Sequence, residues 1–115
     1  VNFRRNDVPL PISVNQLADS LRNGSPVYLI DVRQPWEHAI ASLPDSILIP
    51  LPDLPSRLDE IQPPAGASLI CYCHHGVRSW QAALLLEAKG FIRVGSLSGG
   101  IDAWSRLIDP TVPRY

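Results

Sequence analysis

Twelve prolines, spread from Pro9 to Pro113, cut this chain into pieces too short for a long helix or a coiled coil. Between them lie four short apolar runs: Val27-Tyr28-Leu29-Ile30-Asp31, Ser46-Ile47-Leu48-Ile49, Ser68-Leu69-Ile70-Cys71-Tyr72, and a fourth within residues 91–97. The first three have the pattern of a strand buried on both faces, and the fourth stretch contains one more strand. Helical patterns alternate with them. Ser13 and Gln16 form a capping box ahead of a helix with Leu17, Ala18 and Leu21 on one face, ended by Asn23-Gly24. Pro35 opens a short helix to Ile40, and residues 52–61 are weakly helical through Leu54, Leu58 and Ile61. Residues 78–89 are strongly helical and closed by Gly90, and residues 101–107 make a last helix. Strand and helix alternate with connections too long for hairpins, which predicts an α/β fold with a parallel sheet covered by helices on both faces.

The 115 residues suffice for one domain with a single core, and there is no internal repeat or linker-like shift in composition. One domain over residues 1–115 is expected, with its core at about 8–107 and a tail at 108–115. Val1 rather than Met opens the chain, so the start was trimmed or the chain is a piece of something longer. Ten basic against eleven acidic side chains argue against a nucleic-acid or anionic-membrane partner. Nine of the ten basic residues are Arg, which favours geometric anion binding at a few places over diffuse charge. No apolar run approaches the roughly 18 residues of a membrane span. Cys71 and Cys73 are too close for a useful disulfide, so a reducing, cytoplasmic setting is expected.

The segment Cys73-His74-His75-Gly76-Val77-Arg78-Ser79 joins the third apolar strand to the start of a helix. Ligands of parallel sheets bind beyond the carboxyl ends of the strands, where this loop lies. A helix N-terminus presents unpaired N–H groups, and a loop curled over it adds more, forming an anion-binding nest. Gly76 permits the backbone turn, Arg78 places a permanent charge at the rim, and Cys73 points its sulfur into the cradle. A free thiol of pKa about 8.5 needs roughly 2.7 kcal/mol of anion stabilisation to move down two units. A helix terminus alone contributes about 0.3–1 kcal/mol. Several N–H groups and Arg78 are therefore expected to act together.

This loop resembles the active-site loop of the rhodanese-like sulfurtransferases, which runs Cys, four residues, Arg, with Gly fourth. Three other stretches are similar to that family: Leu29-Ile30-Asp31-Val32-Arg33 with Trp36-Glu37, Pro44 with Ile47-Leu48-Ile49-Pro50, and Ser98-Gly99-Gly100-Ile101-Asp102-Ala103-Trp104. The likeness spans about residues 8–107, and the tail from Asp109 to Tyr115 is similar to the ends of single-domain members. Where the family reads Gly-His-Ile-Pro-Gly-Ala, this chain has Ala41-Ser42-Leu43-Pro44-Asp45-Ser46, which puts the shape of that loop in doubt.

The resemblance implies a five-stranded parallel sheet and a ping-pong reaction. Cys73 would take the sulfane sulfur of thiosulfate or a persulfide donor and pass it to a thiophilic acceptor such as cyanide, a thiol or a protein. No metal or organic cofactor is implied. The related phosphatases and arsenate reductases have five residues between Cys and Arg, against four here, and non-catalytic members lack the cysteine. Cys71 reads as a buried structural cysteine. His74 and His75 are rim residues that meet an anionic donor, partly charged, or else solvated loop side chains. Asp31 and Arg33 either orient the cysteine loop or pair with each other, and pairing is the better reading. Trp36, Trp80 and Trp104 are expected to pack in the core or at the rim.

Overall fold

The computed structural model describes residues 8–115. Its elements are β1 (Leu10–Ile12), α1 (Val14–Arg22), β2 (Val27–Asp31), α2 (Pro35–Ile40), β3 (Ile47–Leu48), β4 (Ser68–Tyr72), α3 (Val77–Ala88), β5 (Val94–Leu97) and α4 (Gly100–Leu107). Two 3₁₀ helices, Leu51–Ser56 and Leu58–Glu60, lie between β3 and β4. The strands form one sheet in the order β1-β5-β4-β2-β3, every pair parallel.

Alternation along the strands builds a core on each face of the sheet. Leu29, Ile70, Tyr72 and Leu97 pack with Leu17 and Ala18 of α1 and Ile101 and Trp104 of α4. Ile30, Leu69, Cys71 and Val94 pack with Ala82, Ala83 and Leu86 of α3 and with Leu54. Ile30, Leu69 and Ile70 are fully buried, each contributing roughly 1.5–3 kcal/mol of hydrophobic stabilisation.

Local signals hold at most element ends. Ser13 Oγ accepts the Gln16 N–H (3.1 Å) and Gln16 Oε1 accepts the Ser13 N–H (2.8 Å), completing the capping box. Pro35 sits in the first turn of α2. Two expectations shift. Leu21 is on the exposed side of α1, whose buried face is instead Val14, Leu17, Ala18 and Ser20. The 52–61 stretch winds as two tight 3₁₀ turns, because Pro52 and Pro55 lack the N–H groups that an α-helix would use. Trp104 is buried and Trp36, though largely exposed, lies at the rim, both within what was expected of them.

Candidate active site

β4 ends at Tyr72, and Cys73 follows at the carboxyl end of the central strand. Gly76, at φ +114°, is the N-cap of α3 and has no side chain to accept the free amides of the first turn. The Cys73 sulfur takes that place. Its Sγ accepts the Gly76 N–H at 3.1 Å and the Ser79 N–H at 3.3 Å, the second being the bond an N-cap side chain would normally receive. The Cys73 thiol lies 3.5 Å from Ser79 Oγ, to which it donates. Ser79 Oγ in turn bonds the Gly76 carbonyl (3.2 Å) and the buried Ser96 hydroxyl of β5 (2.7 Å). Residue 73 is 1% exposed, seated against the apolar layer under α3, with these two peptide hydrogens turned inward onto its sulfur.

The outward carbonyls of the loop are pinned from the other side. The Ile101 N–H donates to the Cys73 carbonyl (2.9 Å) and the Asp102 N–H to the His74 carbonyl (3.1 Å). These are first-turn amides of α4, so one helix end satisfies the loop's acceptors while the end of α3 faces the sulfur. The close approach depends on Gly100. A Cβ there would run into the Cys73 and His74 carbonyl oxygens, and its φ of +60° is in the left-handed region.

Arg78 is at the rim, and two of its five N–H donors bind Glu37. Nη1 and Nη2 bind the two carboxylate oxygens at 2.6 and 3.0 Å. Glu37 also accepts the Tyr115 hydroxyl (2.7 Å) and the Gln34 N–H (3.0 Å). The Arg78 bonds, aided by those from Tyr115 and Gln34, hold the Glu37 carboxyl down to about 2 against the cost of its burial. The sulfur acts on Arg78 only through space, so the expected assistance from Arg78 to the sulfur is offset by a carboxylate. Tyr115 Oη accepts from Arg33 (2.8 Å), which is fully buried and clasps Asp31 through Nε (2.8 Å) and Nη2 (2.7 Å). Burial opposes the Arg33 charge, and the bonds to Asp31 and Tyr115 outweigh it and raise its pKa. Asp31 and Arg33 thus pair with each other, and the chain Asp31–Arg33–Tyr115–Glu37–Arg78 ties that pair to the loop. Asp31 Oδ2 also meets His38 Nδ1 at 2.7 Å.

The rim is aromatic. His74 stacks between His75 and Tyr115, each ring centroid 4.0 Å away, and Tyr115 meets Trp36 edge-on at 5.9 Å. Desolvation and the neighbouring His75 lower the His74 pKa, which works against a charge on that ring. His75 lies 3.9 Å from Asp102, which Arg106 and Arg114 also hold. Val77 is exposed beside the loop. Cys71 is fully buried two residues back, and burial pushes its thiol up to about 12. Glu37, Ser96, Gly100 and Tyr115 were not singled out for a role by the sequence. Only the Ser98–Trp104 motif hinted at Gly100, and Trp36-Glu37 at Glu37.

The family model of the rhodanese-like domain matches residues 13–107. The chain belongs to the rhodanese-like sulfurtransferase family. A sulfurtransferase of Allochromatium vinosum is 38% identical over 95 residues, covering 83% of this chain and 87% of that protein. The maize adenylyltransferase and sulfurtransferase MOCS3-1 is 34% identical over 119 residues, and the match takes in 90% of this chain but 25% of the maize protein. Among solved structures, a rhodanese-like domain protein from Staphylococcus aureus superposes with a TM-score of 0.76 at 29% identity, covering 92% of this chain and 98% of that one. The departure from the rhodanese-like pattern at residues 41–46 has a local solution. Pro44-Asp45 make a turn closed by the Ser46 N–H on the Leu43 carbonyl (3.3 Å), and Asp45, in place of the usual Gly, adopts φ +61°. The Tyr72 hydroxyl anchors the turn through the Leu43 N–H (3.1 Å) and Ser46 Oγ (2.8 Å).

Proposed function

We propose that this chain moves a sulfane sulfur from a donor such as thiosulfate or a persulfide to a thiophilic acceptor, through a persulfide on Cys73. The observation that carries this reading is the pair of main-chain N–H groups, from Gly76 and Ser79, directed at one sulfur atom. With thiosulfate, the Cys73 thiolate attacks the outer sulfur, a sulfur–sulfur bond forms to Sγ, and the old bond breaks to release sulfite. Cyanide then takes the outer sulfur of the Cys73 persulfide as thiocyanate and restores the thiolate; a thiol or protein acceptor reacts in the same sense. His74, His75, Gly76, Val77, Arg78 and Ser79 form the binding loop around the reacting sulfur.

The serine pair supports the charge change. When Cys73 loses its proton, the Ser79 hydroxyl turns its one proton from the Gly76 carbonyl to the sulfur, and Ser96 donates to Ser79. Charge-assisted bonds of this kind are roughly twice as strong as neutral ones. Four residues between Cys73 and Arg78 make a ring suited to a single sulfur rather than to a tetrahedral phosphate. Two free thiols fit a reducing compartment such as the cytoplasm.

Intact-mass measurement after incubation with a sulfane donor tests the reading. The wild type should gain the mass of one sulfur atom and lose it to cyanide, and Cys73→Ser should gain nothing. A gain that survives in Cys73→Ser moves the site to Cys71 and overturns the assignment.

A further inference from the structure

Two arginines beside the cysteine loop share one carboxylate. Arg106 Nε donates to Asp102 Oδ2 (3.0 Å) and Arg114 Nε to Asp102 Oδ1 (3.2 Å). Among the described residues, Arg22, Arg33, Arg57 and Arg78 each face a carboxylate that no second arginine touches. At Asp102 two permanent positive charges meet one negative charge, and a surplus of one remains. A guanidinium carries five N–H donors. Each of these two gives Asp102 only its Nε donor, and no other acceptor meets either side chain among the described residues. The Nη1–Nη2 edge of each, the fork that binds an oxyanion through two parallel bonds, is left unpaired by the protein. The cluster is also held in place. The Asp102 side chain is 11% exposed against 45% for Arg106 and 59% for Arg114, so the anchor is inside and the two cations stand out from it. The Asp102 N–H bonds the His74 carbonyl, and His75 Nδ1 lies 3.9 Å from Asp102 Oδ2, so the cluster borders the loop. Arg114 lies in the tail, which is fastened on both sides of it: the Val112 carbonyl accepts Ser105 Oγ, and Tyr115 Oη bridges Arg33 and Glu37. Ordering long side chains is a main cost of an exposed ion contact, and here the fold has met part of it.

We propose that Arg106 and Arg114, tied together by Asp102, form a binding site for a phosphate-type oxyanion, free or as a monoester, next to the cysteine loop and separate from the Cys73 sulfur. The surplus positive charge selects an anion over a neutral ligand. One fork is enough for a carboxylate, whose two oxygens accept it side by side. Two forks match an anion with three terminal acceptor oxygens, each fork taking a pair and the two sharing one. Attachment to the two oxygens of a single carboxylate keeps both forks within reach of one such anion. The site stands apart from the sulfur-carrying reading, because no sulfur chemistry enters it.

The test titrates inorganic phosphate, methyl phosphate and acetate into the full chain at fixed ionic strength, with no sulfur donor present, and follows the backbone amide and Arg Nε–Hε resonances. Inorganic or methyl phosphate should give saturable shifts at Asp102, Arg106 and Arg114, and the tighter of the two names the source of the anion. Acetate should bind at least about fivefold more weakly. Arg106→Gln and Arg114→Gln should each weaken phosphate binding about fivefold or more, and Cys73→Ser should bind as the wild type does. Arg106→Lys, which keeps the charge without the fork, should weaken binding nearly as much as Arg106→Gln. Urea midpoints check that the variants are folded, and if they are not, the wild-type map decides alone. Shifts that rise without saturating, or that spread over the other arginines, show diffuse charge only and overturn the site. Saturable shifts at Gly76 and Ser79 with Asp102 and Arg106 unmoved assign the anion to the cysteine loop and overturn it as well. Acetate binding as tightly as phosphate overturns the ligand class.

Discussion

Replacing Gly100 by Ala isolates how much the site owes to the close approach of α4. Two costs add. A non-glycine residue at φ +60° carries roughly 1–2 kcal/mol of backbone strain. The new Cβ also meets the Cys73 and His74 carbonyls, so the two bonds from Ile101 and Asp102 must stretch or break, at about 1 kcal/mol each. The sum is about 3–4 kcal/mol, a large share of the roughly 5–15 kcal/mol by which domains are stable. Gly66→Ala is the matched control, because Gly66 sits at φ +80° with nothing within 4 Å of the added methyl. It should cost only the strain, about 1–2 kcal/mol. Urea unfolding of both variants, read with donor-to-cyanide turnover, measures the difference. Gly100→Ala should be at least about 2 kcal/mol worse and lose turnover, since freed loop carbonyls release the inward N–H groups. Equal stability and equal activity in the two variants would refute the claim that α4 holds the loop shut.

Glu37 should shape acid unfolding. Its pKa is depressed from 4.5 to about 2 in the folded protein, so its contribution is intact above the unfolded value and is lost as pH falls through the folded one. Glu37→Gln should flatten the stability profile between about pH 4.5 and 2 relative to wild type, and parallel profiles would contradict this. Cys71→Ala should retain turnover and lose roughly 1 kcal/mol in urea unfolding, whereas a loss of sulfur transfer in the folded variant would give Cys71 a part in the reaction. Tyr115→Phe removes the hydroxyl between Arg33 and Glu37 and should cost about 1–3 kcal/mol by thermal unfolding, because two buried charged groups each lose a partner. An unchanged melting temperature would mean that the tail is not part of the network.

The central strands were readable in advance because β2 and β4 are continuous apolar runs, and such runs belong to strands covered on both faces. The capping box of Ser13 and the glycine opening α3 were equally plain, since both act within a few residues. β1 was not read: three residues with a central Pro11, at the sheet edge, carry no periodicity. The position of Cys73 at a strand end next to a helix start followed from order along the chain. Its electrostatic surroundings did not. Arg78 meets Glu37 across 41 positions and Tyr115 meets Glu37 across 78, and such pairings depend on how the layers stack. The same holds for Ser96, a lone serine in β5 until the fold sets it against Ser79. Arg78 therefore read as a free charge at the rim when it is paired there with the buried Glu37.

The central claim is that peptide hydrogens from Gly76 and Ser79 hold the sulfur of residue 73. Amide proton and nitrogen shifts of those two residues, recorded before and after Cys73 is loaded with sulfur, test it most directly. Both amides should move well beyond the shifts seen elsewhere in α3, and the movement should reverse when cyanide strips the sulfur. Loading by mass with both amides unmoved would contradict the account, because the charge would then be held by something other than this loop.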